Sequence, residues 1–507
     1  MEIVVDHPVF GPYAMAFPIK WTANPFDNKN WLHHFNSLRW LRKEEDLIKV
    51  EKSLRSFYNF HCIKNIKNPY YSEIRGDHTA AIRLTALVEL KNRFEYSGVI
   101  SGVGICQKLI KNELVNLQRP EMYRAGHNHA LMVDLALLEI FKDRKLKFQH
   151  LIDLDMILRR SAQTINDMWH FTGLTKEHSV SYQEYNLPIT VKFYKTIEEL
   201  GLEDKSNVLL ENIINETKKF LGYALKENGE YFSLGDTLRK PNANILNKVY
   251  KGKNLDRKTP AELLLPYSKQ DGTYCNNNFF IFRKLINGRK IHFAATCCWD
   301  SQNHKQNDEL SFCLDVDGIS IFDDPGFTPF LPKQQVMDLK SEKNHSTITI
   351  EKNKWCANFS AKRASKIVKG NDFKDGFEVE MKTERVPDLI FTRNIKLSKD
   401  VVIIKDRVSG LIEKDTYINR LFVLGPKVCV NKDLIRNRAV LSMGAKLLAE
   451  VSCESTGVSE SFFYIGNDVD YVLVKKDEVV KTNTLMHKGK AVAGINNRLM
   501  TLKIDLI

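Results

Sequence analysis

The stretch His304-Lys305-Gln306-Asn307-Asp308-Glu309-Leu310-Ser311-Phe312 places imidazole, amide and carboxylate side chains directly ahead of a strand. Ser311 to Val316 alternates as Ser-Phe-Cys-Leu-Asp-Val, and Asp317-Gly318 is a hairpin turn signal. A second short strand, Ile319 to Phe322, runs into Asp323-Asp324-Pro325-Gly326, a turn that opens on two carboxylates. The hairpin is expected to bring Asp324 back toward His304. A histidine at the entry and carboxylates at the exit suit a metal or acid–base site. The alternative is a polar strand end with a solvated turn.

Around this hairpin, residues 266 to 507 show period-two alternation. Examples are Phe279 to Phe282, Lys290 to Thr296, Ser346 to Ile350, Phe377 to Met381, Val401 to Ile404, Arg420 to Leu424 and Tyr471 to Lys475. Short alternating runs between Asn-Gly, Asp-Gly and Lys-Asp turns predict an antiparallel β-sandwich. Residues 1 to 265 read differently. After an aromatic, irregular start, Asn30 to Leu54 forms one or two helices. Helical spacing then recurs over His78–Phe94, Gly104–Leu117, Asn128–Phe141, Leu151–Phe171, Leu187–Leu200 and Ser206–Leu225. Pro260, Pro266 and Gly272 place the boundary near 258–274. The fold class is α+β, with a helical domain over 1–265 and an antiparallel β-sandwich over 266–507.

The helical half holds two polar clusters. Ala125-Gly126-His127-Asn128-His129 precedes an apolar helix, with Asn128 as the expected N-cap. Asn128 and His129 then sit at a positive helix N-terminus, where a substrate carboxylate can bind; surface histidines beside a cap are the alternative. Glu177-His178-Ser179-Val180-Ser181-Tyr182-Gln183-Glu184-Tyr185 reads as a polar loop between helices. Tyr182 and Tyr185, three apart, share one face of a turn. A tyrosine beside a carboxylate-binding group can act as acid or base; ordinary loop tyrosines are the alternative.

The chain has 507 residues, too many for one core, and carries a formal charge of +13. That excess favours an anionic partner, but no basic run or recognition motif points to nucleic acid. No apolar stretch is long enough to span a membrane as a helix, so membrane insertion is not expected. The nine cysteines are scattered without a CxxC pair and predict core thiols rather than disulfides. Glu2 and Asp6 stand where a secretory leader would be basic, so a cytoplasmic protein is the default expectation.

The hairpin stretch resembles the signature of the heparinase II/III-like polysaccharide lyases, roughly His-Lys-His-Ala-Asp-Asp-Leu-Ser-Phe, a glycine turn, then Asp-Pro-Gly or Asp-Ser-Gly. Here it is His304 to Phe312, Gly318 and Asp324-Pro325-Gly326, with Gln306 in place of the second histidine. Asn128-His129 resembles the family's Asn-His pair, and Glu177, Ser179 and Tyr182 its Glu-x-Ser-x-x-Tyr motif. Gly235-Asp236-Thr237 is a weaker echo of a family Gly-Asp-Ser.

The resemblance implies an incomplete α/α toroid ahead of the β-sandwich. It also implies a lyase that cleaves a uronic-acid-containing anionic polysaccharide, glycosaminoglycan or alginate-like, by β-elimination. In that reading Asn128, His129, Tyr182 and His304 are catalytic and converge on one cleft. Asn128 and His129 hold the uronate, with His178 and Tyr185 as further substrate-binding residues. The alternatives are a polysaccharide-binding or processing protein without catalysis, or a glycoside hydrolase using carboxylates such as Glu177, Asp236, Asp308 and Glu309. Relatives also hold a zinc ion, and the matching residues are Gln306, Asp324 and His345. Glutamine is a poor zinc ligand, so weak or no zinc is expected, with a hydrogen-bonded Gln306–Asp324–His345 cluster instead. Where relatives often place tyrosines after the last glycine, this chain has Phe327 and Phe330. Relatives are mostly exported, which conflicts with the cytoplasmic default.

Overall fold

The computed structural model describes residues 2–63, 76–202, 207–242, 264, 270–301, 303–328, 331, 333–351, 365–413, 416–433, 438–465, 472–475, 478–492 and 497–507. The chain divides into two compact units. The first comprises Met1–Phe171 and Ile189–Leu210, and the second Thr172–Pro188 and Glu211–Ile507. The expected boundary near 258–274 falls mostly outside the described residues.

The first unit opens with a hairpin, β1 (Glu2–His7) and β2 (Gly11–Ala16). The expectation of an irregular start is corrected here. Ile3, Val5 and His7 alternate inward along β1, and that two-residue period is what makes it a strand. Helices follow: α1 (Lys29–Asn36), α2 (Leu47–Tyr58), α3 (Asp77–Tyr96), α4 (Ile100–Leu117), α5 (Asn128–Lys142) and α6 (Leu154–Met168). Their starts are set by side chains that accept otherwise unpaired backbone N–H groups. Asn28 caps α1, Asp46 caps α2 and Asp153 caps α6.

Helix α3 packs on α4 and α5, and α5 on α6, so the unit is held by helix-on-helix packing. Trp21, Trp31, Phe35 and Phe57 are 0–1% exposed and pack on one another, stacked or edge-to-face, which makes them core rather than sugar platforms. Arg83 is buried beneath them, paired with Glu113 at 2.7 Å and donating to the Asn36 carbonyl.

Helix α7 (Val180–Glu199) corrects the sequence reading. It starts at Val180 rather than Leu187 and continues through Pro188, so Tyr182 and Tyr185 lie in its first two turns and not in a loop. Proline removes one backbone donor and disfavours the helical conformation of the residue before it, which is why the sequence suggests a start there. The division between the units falls at this proline. Helix α8 (Asn207–Ala224) follows.

The second unit is built on antiparallel sheets. A five-stranded sheet runs β3 (Gly272–Cys275), β4 (Phe279–Ile286), β5 (Arg289–Thr296), β6 (Ser311–Val316), β7 (Ile319–Phe322). An eight-stranded sheet and a four-stranded sheet are formed from residues 348–506. Inward-facing side chains of all three sheets share one core, including Phe280, Phe293, Phe312, Phe377, Ile404, Phe422 and Leu502. This is sandwich packing of period-two strands. Inside it Asp406 is clamped by Arg393 and Arg420 at 2.7 and 2.6 Å. Arg393 also donates to the Leu310 and Ser346 carbonyls, fixing the base of β6 to the core. The turn between β6 and β7 has Asp317 and Gly318 both at positive φ, the conformation that an Asp-Gly hairpin turn favours.

Candidate functional site

In the second unit the segment ahead of β6 meets the start of α7 and the loop around Asp236. That loop lies hard against the residues before α7. A Cβ on Gly235 would sit 2.1 Å from the His178 carbonyl oxygen, so only glycine fits there. Ser179 donates its hydroxyl to the Asp236 carbonyl at 2.8 Å, and the Thr237 hydroxyl accepts from the Val180 N–H at 3.1 Å. These bonds carry the Asp236 carboxylate toward the side chains of the hairpin.

His304 lies face to face on Tyr182, with ring centroids 3.5 Å apart and planes 22° apart. Its Nδ1 faces Asp236 Oδ2 at 3.3 Å, and its Nε2 lies 3.9 Å from Glu177 Oε2. Tyr185 packs edge-on to Tyr182 at 5.8 Å. Asp236 is 1% exposed and receives two further donors, Lys340 Nζ at 2.6 Å and Gln306 Nε2 at 2.8 Å. Burial alone would push its carboxyl up. The hydrogen bonds and charges of His304 and Lys340 outweigh that and hold it below the usual carboxylate range. For Tyr182 burial comes first, and the neighbouring Asp236 and Glu177 carboxylates act in the same direction. Its hydroxyl is held well above the ordinary tyrosine value and keeps its proton.

The partner of His304 is therefore Asp236. The exit turn of the hairpin returns elsewhere, and Asp324 accepts from Ser311 at 2.8 Å and from His345 Nδ1 at 2.9 Å. Lys340 was not visible in the sequence as a site residue. It follows α9 (Lys333–Leu339), and its ammonium also lies 4.7 Å over the Phe327 ring. Phe330 lies outside the described residues.

His178, expected to bind substrate, is 1% exposed. Its Nε2 accepts the Asp300 N–H at 2.7 Å and its Nδ1 faces the Asn303 carbonyl at 3.4 Å. Burial holds its pKa down at about 4, so the ring is neutral and pins the chain just ahead of His304.

The donors do not fit a zinc ion. The Gln306 amide nitrogen points at two acceptors, Asp236 and the Gly326 carbonyl, which turns the amide oxygen away from both. The expected Gln306–Asp324–His345 cluster is thus only half formed, since Gln306 bonds Asp236 and not Asp324. Gln306 Oε1 and His345 Nε2 are buried without a hydrogen-bond partner among the described residues. One imidazole nitrogen and one amide oxygen are a poor set for a metal that takes thiolate, imidazole and carboxylate. The nearby Asp308 carboxylate spends Oδ1 on buried Lys305, which leaves only its Oδ2 without a partner among the described residues.

In the first unit Asn128 and His129 open α5. The cap is His127, one residue earlier than expected, because its Nδ1 accepts the His129 N–H at 3.1 Å. Asn128 is 1% exposed, while the His129 side chain retains 26% exposure and faces Asp77.

Residues 282–467 match the family described as Heparinase II/III-like, C-terminal, which bears out the resemblance carried by the hairpin. No curated protein matches the sequence. Solved structures similar in fold include a heparinase III (TM-score 0.72, 13% identity, 98% of this chain and 81% of that one). Another is the heparinase III BT4657 gene product (TM-score 0.64, 12% identity, 100% and 82%). A third is a mutant of the heparan sulfate lyase HepC from Pedobacter heparinus (TM-score 0.61, 14% identity, 99% and 81%). The fold is accordingly an α/α toroid-type helical region followed by an antiparallel β-sandwich.

Proposed function

We propose that this protein is a polysaccharide lyase that cleaves a uronic-acid-containing anionic polysaccharide by β-elimination. The observation that carries the reading is the stack of Tyr182 on His304 above the Asp236 and Glu177 carboxylates. Elimination removes the C5 proton of a uronate and breaks the bond to the leaving oxygen. Neutralising the neighbouring carboxylate stabilises the enolate-like charge that develops.

A tyrosine kept protonated by burial and two carboxylates suits the acid that protonates the leaving oxygen. The base is then His304. With Nδ1 committed to Asp236, Nε2 is its proton-accepting atom, and Asp236 stabilises the imidazolium that forms. By the family resemblance, Asn128 and His129 bind the uronate carboxylate. The net charge of +13 favours an anionic chain. No step needs a metal, in keeping with donors that do not suit zinc.

A hydrolase reading is weakened by the state of the carboxylates. Glu177, Asp236, Asp308 and Glu309 are all 0–1% exposed, and Asp308 and Glu309 are taken by Lys305 and Arg385. Neither would reach a sugar on opposite faces of a glycosidic bond. A binding protein without catalysis would have no use for a protonated tyrosine stacked on a carboxylate-oriented histidine.

The test is to mix purified protein with a panel of acidic polysaccharides. Heparan sulfate comes first, because it appears in the name of the similar lyase. A lyase produces new ultraviolet absorbance from unsaturated uronate ends. Reducing ends without that absorbance would establish a hydrolase, and binding without either would establish a non-catalytic protein.

A further inference from the structure

His129 is one member of an imidazole column within the first unit. His33 from α1, His78 from α3 and His129 from α5 stack in series. Their centroids are 4.4 Å apart at each step, with planes 21° and 26° apart. His127 packs T-shaped against His129, with centroids 4.3 Å apart. Parallel rings do not converge their nitrogens on one point, so the column is not arranged as a metal site.

What it does is restrain His129 from several sides. Asp77 Oδ1 lies 3.2 Å from His129 Nδ1. Asp77 is itself fixed, being 5% exposed at the first position of α3, with its Oδ1 accepting the His78 N–H at 2.7 Å. Its other oxygen lies 3.3 Å from Arg124. Burial would raise the Asp77 carboxyl, but the hydrogen bond and charge of His129, together with Arg124, bring it below its ordinary value, so it is an anion. His78 covers one face of the ring, and its own partner on the far side, His33, is anchored to the Thr79 hydroxyl at 2.9 Å. Nδ1 and one face of His129 are thereby held, and no described hydrogen bond engages Nε2.

We propose that Asp77 and His78 are positioning residues for His129. Asp77 fixes its proton on Nδ1 and its ring plane, and His78 sets its tilt, so that Nε2 is the edge delivered to the substrate. An imidazole held in this way grips a carboxylate as the imidazolium, or takes a proton through Nε2 as the neutral ring. In both cases the Nδ1–H belongs to Asp77. The proposal rests on the lyase reading only for the step in which His129 meets a uronate.

The experiment has two arms, so that failure of either idea is separately visible. The first records long-range ¹H–¹⁵N spectra of the whole chain, with the His129 signals assigned by their loss in His129→Gln. The expected result is that the neutral form of His129, wherever in pH it is reached, carries its proton on Nδ1, with loss of that preference in Asp77→Ala. A wild-type ring protonated on Nε2, or a tautomer unmoved in Asp77→Ala, overturns the proposal whether or not the protein is a lyase. The second arm measures turnover of a uronate polymer. Asp77→Ala is expected to lose about 10²-fold in kcat/KM with a melting temperature close to wild type. His78→Ala is expected to lose activity and His78→Phe, which keeps a stacked ring, to restore most of it. Equal activity of His78→Ala and wild type overturns the part assigned to His78. Inactivity of the wild type on every polymer, beside the expected spectra, overturns the lyase reading and leaves the positioning intact.

Discussion

The imidazole of His304 lies parallel to the phenol of Tyr182 at 3.5 Å, with the Asp236 carboxylate 3.3 Å from its Nδ1. The contact joins a residue on the first turn of α7 to one just ahead of β6. It places a protonated phenol and a carboxylate-oriented imidazole side by side.

Tyr182→Phe follows from that contact. The substitution removes one hydroxyl and keeps the ring that stacks on His304. Turnover is expected to fall about 10²–10⁴-fold, the usual weight of a positioned proton donor. Thermal stability and polymer binding are expected to stay close to wild type. Purified Tyr182→Phe with near-normal turnover would remove Tyr182 from the mechanism.

His178→Ala is expected to behave in the opposite way. His178 touches the backbone of 300–303 and carries no chemistry of its own. Its loss leaves the half-buried Asp300 N–H without this acceptor and opens a cavity where the buried ring stood. Together these cost about 2–4 kcal/mol of unfolding free energy. The measurement is a denaturant titration, and a midpoint equal to wild type would refute the structural role.

The contrast between these two residues marks what could be read from the chain. The β6–β7 hairpin was legible because strand alternation and an Asp-Gly turn are local signals. The helices of the first unit were legible for the same reason, and the boundaries of α5 and β6 agree with expectation to within a residue or so. Local signals also misled. Pro188 concealed the first turns of α7, and Asn128 looked like a cap although His127 does that work. The partners of the site had no local signal. Asp236 is 68 residues from His304 and Lys340 is 104 residues from Asp236, so only the fold brings them together. Family likeness pointed to Asp236 only as a weak echo, and to Lys340 not at all.

Glu184 supplies a test of pH dependence. It is 4% exposed on α7, accepts the Asn242 N–H at 2.7 Å, and burial pushes its carboxyl up to about 8. The sign follows from linkage. The folded state holds this proton more tightly than the unfolded chain, so the contribution of Glu184 is fully present below the ordinary carboxyl value. It is lost as pH rises toward about 8. The melting temperature of wild type is expected to fall between pH 5 and pH 8 more steeply than that of Glu184→Gln, which imitates the protonated form at every pH. Identical slopes for the two proteins would show that Glu184 is ionised in the fold.

The zinc question turns on Gln306. A histidine there could offer a ring nitrogen to a metal, whereas the glutamine spends its amide nitrogen on Asp236 and the Gly326 carbonyl. Asp324 spends its carboxylate on Ser311 and His345 Nδ1. Of the Gln306–Asp324–His345 set, this leaves His345 Nε2 as the imidazole nitrogen on offer, and structural zinc needs about four such donors. Asp308 spends one carboxylate oxygen on Lys305, and His292 meets the Tyr223 carbonyl at 2.8 Å. Protein purified without added metal is therefore expected to carry far less than one zinc per chain. Prolonged dialysis against a chelator is expected to leave both its melting temperature and any turnover of uronate polymer unchanged. Elemental analysis returning about one tightly held zinc, with a lower melting temperature after its removal, would refute this. It would mean that Gln306 turns its oxygen inward and releases Asp236, and with it the alignment of His304.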